Sequence, residues 1–388
     1  MSYVERTSTK EILKYLGFYP VTAILGPRQC GKSTLAKRII HSFPNTIYID
    51  LELPSDMAKL QDAEAFFTVN NDSLICLDEI QRLPDIFPLI RSIVDRTNKP
   101  GRFLLLGSAS AELMRQSSES LAGRIGYINL SPFNSLELEY KNLRNHWLKG
   151  GFPLSYLSAD LSLSSSWREN FIRTFLEKDV PALGFSVSTE IIRRLWMMLA
   201  HNTGQILNKN NLSASLGISQ PTVTSYIDLL KNTFMVRTLR PCHTNLKKRL
   251  IKSPKVYIRD SGIIHSLLKI SDQNDLLGHP VYGSSWESYA LEQIITLLTK
   301  WTPSFYRTSN GSEIDLILEK GQHRIAVEFK INPSLKLSAG FYHGLNDLAI
   351  EESFIICPLL KDEIYPIGEN IRVSSIPSFI AYVEKRDY

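Results

Sequence analysis

Nine consecutive residues, Gly26-Pro27-Arg28-Gln29-Cys30-Gly31-Lys32-Ser33-Thr34, fit the pattern G-x-x-x-x-G-K-[ST] without a mismatch. Two glycines at that spacing let a backbone wrap around phosphate oxygens with its N–H groups pointing inward. Lys32 would reach the β/γ-phosphates, and the Ser33 hydroxyl would complete a Mg²⁺ shell. Farther along, the apolar run Ser73 to Leu77 ends in Asp78-Glu79. Asp78 would hold Mg²⁺ through water and Glu79 would polarise the attacking water; the plainer alternative is that the pair caps a helix. A second set stands near the C-terminus: Glu287, Asp315, Glu328 and Lys330. There, Asp315 and Glu328 would hold Mg²⁺ through oxygen, Lys330 would polarise a water, and Glu287 would back them from a helix.

These residues need a frame. Val21–Leu25 reads as a short buried strand entering the glycine loop, and residues 35–40 continue in helical spacing beyond it. Thr46 to Leu51, Ser73 to Leu77, Arg102 to Leu106 and Ile125 to Leu130 read as four further strands, so the first 134 residues predict an α/β parallel sheet. Ser108, just past the fourth strand, is a candidate γ-phosphate sensor, with a plain turn as its alternative. Arg124, just before the fifth, is a candidate arginine finger for a neighbouring subunit. Arg115 competes for that part, as does a simple surface role for Arg124.

Residues 135–188 read as a helical lid in which Trp167, Phe171, Phe175 and Leu176 share one packing face. Residues 189–278 read as a winged helix. Leu212 to Ser219 gives helix, glycine turn and serine cap, and Gln220 to Leu230 gives a second helix with Pro221 in its first turn. That second helix would offer Gln220, Thr222 and Thr224 to a duplex. From Lys231 to Arg259 nine basic residues, Lys247, Lys248, Arg249 and Lys252 among them, meet no acidic one, which suits a basic wing on DNA phosphates. A solvated loop or a protein-contacting wing is the competing account. Residues 279–388 read as an α/β domain of the PD-(D/E)xK pattern. If Gly321-Gln322 makes the turn between its two alternating runs, Asp315 falls opposite Glu328 and Lys330 shares their face.

The motifs also occur as a set. Gly-Pro-Arg-Gln-x-Gly-Lys-Ser, Leu77 to Gln81, Gly107 to Ala109, Leu121 to Arg124, Pro132-Phe133 and Gly150 to Pro153 together resemble the prokaryotic AAA+-type ATPases fused to a C-terminal domain of unknown function. The resemblance spans essentially the whole chain. It implies ATP and Mg²⁺ as cofactors, Ser108 as sensor, Arg124 acting in trans and a homo-oligomer, up to a hexameric ring. The order of nucleotide module, lid and winged helix resembles Holliday-junction branch-migration motors. The leading expectation is therefore an ATP-hydrolysing protein that binds and remodels duplex or branched DNA. An ATP-gated Mg²⁺-dependent nuclease and a nucleotide-timed switch on protein partners are the alternatives.

Composition narrows the field. With 43% hydrophobic and 21% charged residues the 388-residue chain is ordinary for a globular protein of two or three domains. No apolar run nears the roughly 20 residues that span a bilayer. Four scattered cysteines make neither a zinc nor a disulfide framework, and a cytoplasmic location is expected. A net charge of +5 is too small to argue for nucleic acid by itself, so its distribution matters more.

Overall fold

A computed structural model describes residues 3–97, 99–108, 117, 119–182, 188–242, 250–334 and 336–386. The chain divides into two compact units, one of residues 1–133 with 232–234, the other of 134–231 with 235–388.

The first unit is a five-stranded sheet of β1 (Val21–Leu25), β2 (Thr46–Asp50), β3 (Leu74–Asp78), β4 (Phe103–Gly107) and β5 (Ile125–Asn129), in the order β2-β3-β4-β1-β5. Every neighbouring pair is parallel. The strands are continuous apolar runs because both faces are covered. Alternate side chains go to opposite cores. Val21, Ala23, Ile75, Leu77, Phe103 and Leu105 meet the helix Phe87–Thr97 on one face. Ile24, Cys76, Leu104 and Leu106 meet the helices Thr9–Leu16 and Lys32–Ile40 on the other.

The second unit starts with helices, of which Leu161–Thr174 is the longest before residue 188. Then come the helix Thr189–His201, β6 (Gln205–Ile206), the helices Lys209–Leu216 and Gln220–Asn232, β7 (Val236–Leu239) and β8 (Lys255–Ile258). These strands form a three-stranded sheet in the order β6-β8-β7. Gly217, at φ +66°, ends the first helix of the pair in the left-handed region where glycine is favoured.

A six-stranded mixed sheet follows, from β9 (Thr302–Arg307), β10 (Glu313–Lys320), β11 (His323–Phe329), β12 (Glu352–Ile356), β13 (Ile364–Pro366) and β14 (Ile371–Ser374). Its order is β13-β14-β12-β11-β10-β9. The helices Tyr282–Leu297 and Ile376–Lys385 contribute to the large core on one face, and Ala339–Leu348 to a smaller core on the other. The expected divisions at 188 and 278 do not separate cores. One apolar cluster runs from Leu143 through Trp196, Tyr257 and Trp286 to Val383. Asp260 shows how closely these parts interlock. It caps the helix Ser261–Leu267 and also accepts from the Gly151 N–H at 2.8 Å. A Cβ on Gly150 would lie 2.2 Å from the Asp260 carboxylate, so the Gly150-Gly151 pair is there to admit that side chain.

Candidate functional site

The strand order brings the first set of residues to one edge. β3, β4 and β1 are neighbours, and their C-terminal ends carry Asp78-Glu79, Ser108 and the Gly26–Thr34 loop respectively. Gly26 is required where it stands, since a Cβ would lie 2.2 Å from the Leu130 carbonyl oxygen. Gln29 and Gly31 take positive φ angles of 60° and 100°, and Gly31 begins the helix Lys32–Ile40. The first N–H groups of that helix have no partner within it, which makes its start an anion seat. Lys32 is buried, and its Nζ donates to the carbonyls of Gly26 and Pro27 at 3.1 and 2.9 Å. Cys30 is fully buried under the loop; Ser33 is half-buried and Thr34 exposed.

Two residues outside the motif hold the loop and its acidic partner. The Arg6 guanidinium is buried and donates to the carbonyls of Cys30, Ser131 and Pro132, fastening the loop to the segment after β5. Tyr48, on β2, donates its hydroxyl to Asp78, and Ser33 lies beside the same phenol. Burial, and then the Asp78 carboxylate, push the Tyr48 phenol far above its ordinary pKa, so it remains a donor. Asp78 also accepts from the Glu79 N–H at 2.9 Å. Glu79 stands at φ 56°, uncommon for glutamate, and its carboxylate accepts from Gln81. A buried carboxylate and a hydroxyl meeting at one phenol are the oxygen donors a hard cation takes, so Ser33 and Asp78 fit Mg²⁺. Sequence reasoning missed Arg6 and Tyr48, and read Gln81 only as part of the Leu77 to Gln81 motif without its bond to Glu79.

Arg124 lies elsewhere. It precedes β5, whose first residue pairs with Val21 at the start of β1. One strand of five residues, about 17 Å at ~3.3 Å per residue, separates that level from the loop. Its guanidinium pairs with Asp95 and donates to the Ala122 carbonyl. Arg115 lies outside the described residues.

The second set does come together. Gly321, at φ +62°, and Gln322 form the tight turn, with Lys320 paired to His323 and Leu316 to Val327; Asp315 and Glu328 are next in that register. The β9–β10 pairing shifts between Ile314 and Ile317, a bulge flanking Asp315. Lys330 Nζ lies 2.9 Å from Glu328 Oε1. An unexpected member joins them: Lys255, at the start of β8, is 3.0 Å from Asp315 Oδ1, 2.9 Å from Glu313 Oε1 and 3.4 Å from Glu287 Oε1. Tyr257 donates to Glu287 at 2.7 Å. Burial and then the Asp315 charge push Glu287 and Glu328 up. Burial alone would raise Asp315 too, but Lys255 brings it below the usual carboxylate range.

On the helix Gln220–Asn232, Gln220 is exposed, while Thr222 and Thr224 are half-buried. Gln220 donates to Asn210, Thr224 donates to the Gln220 carbonyl at 3.0 Å, and Thr222 shares a hydrogen bond with Ser219. Lys247, Lys248 and Arg249 lie outside the described residues, and Lys252 is exposed. The picture of an uninterrupted basic wing needs correction. Arg237 and Arg259 both pair with Glu292, at 2.6 and 2.7 Å, and Lys255 is buried in the carboxylate pocket. Their counter-ions come from the helix Tyr282–Leu297 and from β10, far away in sequence, so a local count of charge missed them.

Comparison with known proteins places the chain. Residues 19–139 match the model of an AAA domain, 140–274 match a domain of unknown function (DUF8612), and 282–379 match another (DUF4143). Over 366 residues the chain is 36% identical to uncharacterized protein Rv2008c of Mycobacterium tuberculosis and to Mb2031c of Mycobacterium bovis, covering 94% of this chain and 82% of theirs. The chain belongs to the family of these mycobacterial proteins. It is a P-loop ATPase of the AAA type with a separate mixed-sheet C-terminal part. Among solved structures, the Walker-type ATPase PABY2304 of Pyrococcus abyssi superposes with a TM-score of 0.49 at 16% identity, over 69% of this chain and 96% of that one. A single-residue variant of Thermotoga maritima RuvB gives 0.30 at 18%, over 59% and 87%. The assignment rests on the sequence matches and on the strand order. Among the described residues, no helix is long and apolar enough to cross a membrane.

Proposed function

We propose that the chain hydrolyses ATP at the Gly26–Thr34 loop and uses the cycle to bind and remodel duplex or branched DNA in the cytoplasm, as a homo-oligomer. The observation that carries the ATPase reading is the convergence of Lys32, Ser33, Asp78, Glu79 and Ser108 at one sheet edge, with Tyr48 beside both Ser33 and Asp78. Lys32 exchanges the Gly26 and Pro27 carbonyls for phosphate oxygens. Ser33 and Asp78 are the residues to hold Mg²⁺, which when bound supplies charge neutralisation on the β- and γ-phosphates. Glu79, aligned by Gln81, takes the proton of the attacking water, and Ser108 senses the γ-phosphate. Arg124, a strand's length away on its own chain, serves a neighbouring copy. The winged-helix order of residues 189–278, with Gln220, Thr222, Thr224 and Lys252 on or near its outer surface, supports a DNA contact.

The test is the ATPase rate without DNA and with single strand, duplex and four-way junction at one fixed salt concentration. Stimulation by duplex or junction is expected. Unchanged hydrolysis by Glu79→Gln would remove the ATPase reading. Equal rates on the whole panel would favour the second reading, a nucleotide-timed switch on a protein partner. One observation speaks for that switch: Arg237, Lys255 and Arg259 are spent on internal carboxylates.

A further inference from the structure

The carboxylate pocket of the C-terminal part already contains a cation. Lys255 extends from β8 with its side chain 2% exposed and sets its ammonium among Asp315, Glu313 and Glu287. An ammonium has three donors and no acceptor, and these three carboxylates match them. One of the carboxylates, Asp315, is a ligand a divalent ion in this pattern would need, and Glu287 is the one that would back it. Mg²⁺ requires oxygens at about 2.0–2.1 Å in near-octahedral array, and an ammonium between those oxygens both fills that place and repels a second positive charge. Among the described residues no three His, Cys, Asp or Glu side chains are grouped to hold a metal ion. The side chains present therefore do not fit a resident Mg²⁺. One atom still waits for a partner: Glu328 Oε2 is buried without a hydrogen bond, while Oε1 is taken by Lys330.

We propose that Lys255 is the resident cation of this pocket, standing where a D…E-x-K site would take a divalent ion, and that the pocket joins β8 to the C-terminal sheet instead of cutting nucleic acid. Lys255 and Tyr257 are both on β8, so the strand supplies the central charge and the donor to Glu287. Without the ammonium, Glu287, Asp315 and the unpartnered Glu328 oxygen, which as they stand are not grouped to hold an ion, would be free to close into an all-oxygen set of the kind hard cations take.

Mn²⁺ binding to the full chain, read by electron paramagnetic resonance, tests this. Asp78→Asn is included throughout to silence the nucleotide site. That protein is expected to retain no Mn²⁺ and to melt at the same temperature in Mn²⁺ as in chelator. Adding Lys255→Met is expected to create one Mn²⁺ site per chain, lost again with Asp315→Asn. Mn²⁺ held by the Lys255 protein and released by Asp315→Asn would overturn the proposal. A folded Lys255→Met protein that binds none would do the same. Should Lys255→Met fail to fold, the Lys255 protein and its Asp315→Asn form decide the matter by themselves.

Discussion

His265 is kept neutral by its surroundings. Its ring nitrogens lie 2.9 Å from the Leu148 carbonyl and 2.8 Å from Ser285 Oγ, and Ser285 accepts from Trp147 Nε1 at 2.9 Å. Nδ1–H facing the carbonyl and an unprotonated Nε2 facing Ser285 satisfy all three groups. Burial pushes the imidazole down to about 4. Unfolded, it takes a proton near 6.5. Between those values the unfolded chain gains a proton the fold refuses, so stability falls with falling pH, by up to ~1.4 kcal/mol per pH unit. Thermal melts from about pH 7 to about pH 5 are expected to slope less for His265→Gln than for the parent. At the nucleotide site, Tyr48→Phe removes the group that orients Asp78 beside Ser33. Comparable losses next to metal ligands cost ~10- to 100-fold in metal affinity. The Mg²⁺ concentration for half-maximal ATPase should therefore rise at least ~10-fold, measured by titrating Mg²⁺ at saturating ATP. The loop and Asp78-Glu79 were legible because each motif is contiguous. Tyr48 and Arg6 were not, since their partners lie 30 and 24 residues away. A lone phenol in the apolar run of β2 was the signal available.

Among elements, the helix Tyr282–Leu297 binds the three-stranded sheet by charge as well as by packing. Burial alone would raise the pKa of Glu292; the guanidiniums of Arg237 and Arg259 overcome that and hold it low. Removing one partner of a buried pair typically costs ~3–5 kcal/mol, because the charges left behind are uncompensated. Glu292→Gln is expected to lose about that much in urea unfolding of the second unit. The same pairing limits what the proposed DNA contact could use: Lys252 is exposed, Arg237 and Arg259 are occupied. Lys252→Ala should lower the salt slope of duplex binding by about one, whereas neutralising a buried cation should show up in stability. The β10–β11 hairpin and the helix pair at residues 209–232 were legible from period-2 alternation and from a glycine turn. β9, β12, β13 and β14 went unread, and so did the wing's true charge, because ion pairing across elements leaves no trace in a local count.

For the whole molecule, Arg124 supplies the test of assembly. Placed a strand's length from its own loop, it would have to act on a neighbour's nucleotide if it is the proposed arginine finger. Arg124→Ala and Lys32→Ala should each lose on the order of 10³-fold in kcat, and mixing the two proteins should restore measurable turnover, because some interfaces then join an intact loop to an intact arginine. No recovery on mixing, with oligomers exchanging subunits, would exclude action across copies. The boundary at residue 134 was legible in the change from strand to helix patterning. The fusion of everything after it was not, since a shared core is written in contacts between distant segments.

That continuous apolar cluster from Leu143 to Val383 has a practical side. A clone ending near residue 281 would leave Trp147 without Trp286 and Tyr257 without its acceptor Glu287. It is expected to appear in inclusion bodies or the column void. For the same reason the last hundred residues are not expected to fold as a separate cassette, since their apolar side chains belong to the same cluster as those of the preceding segments.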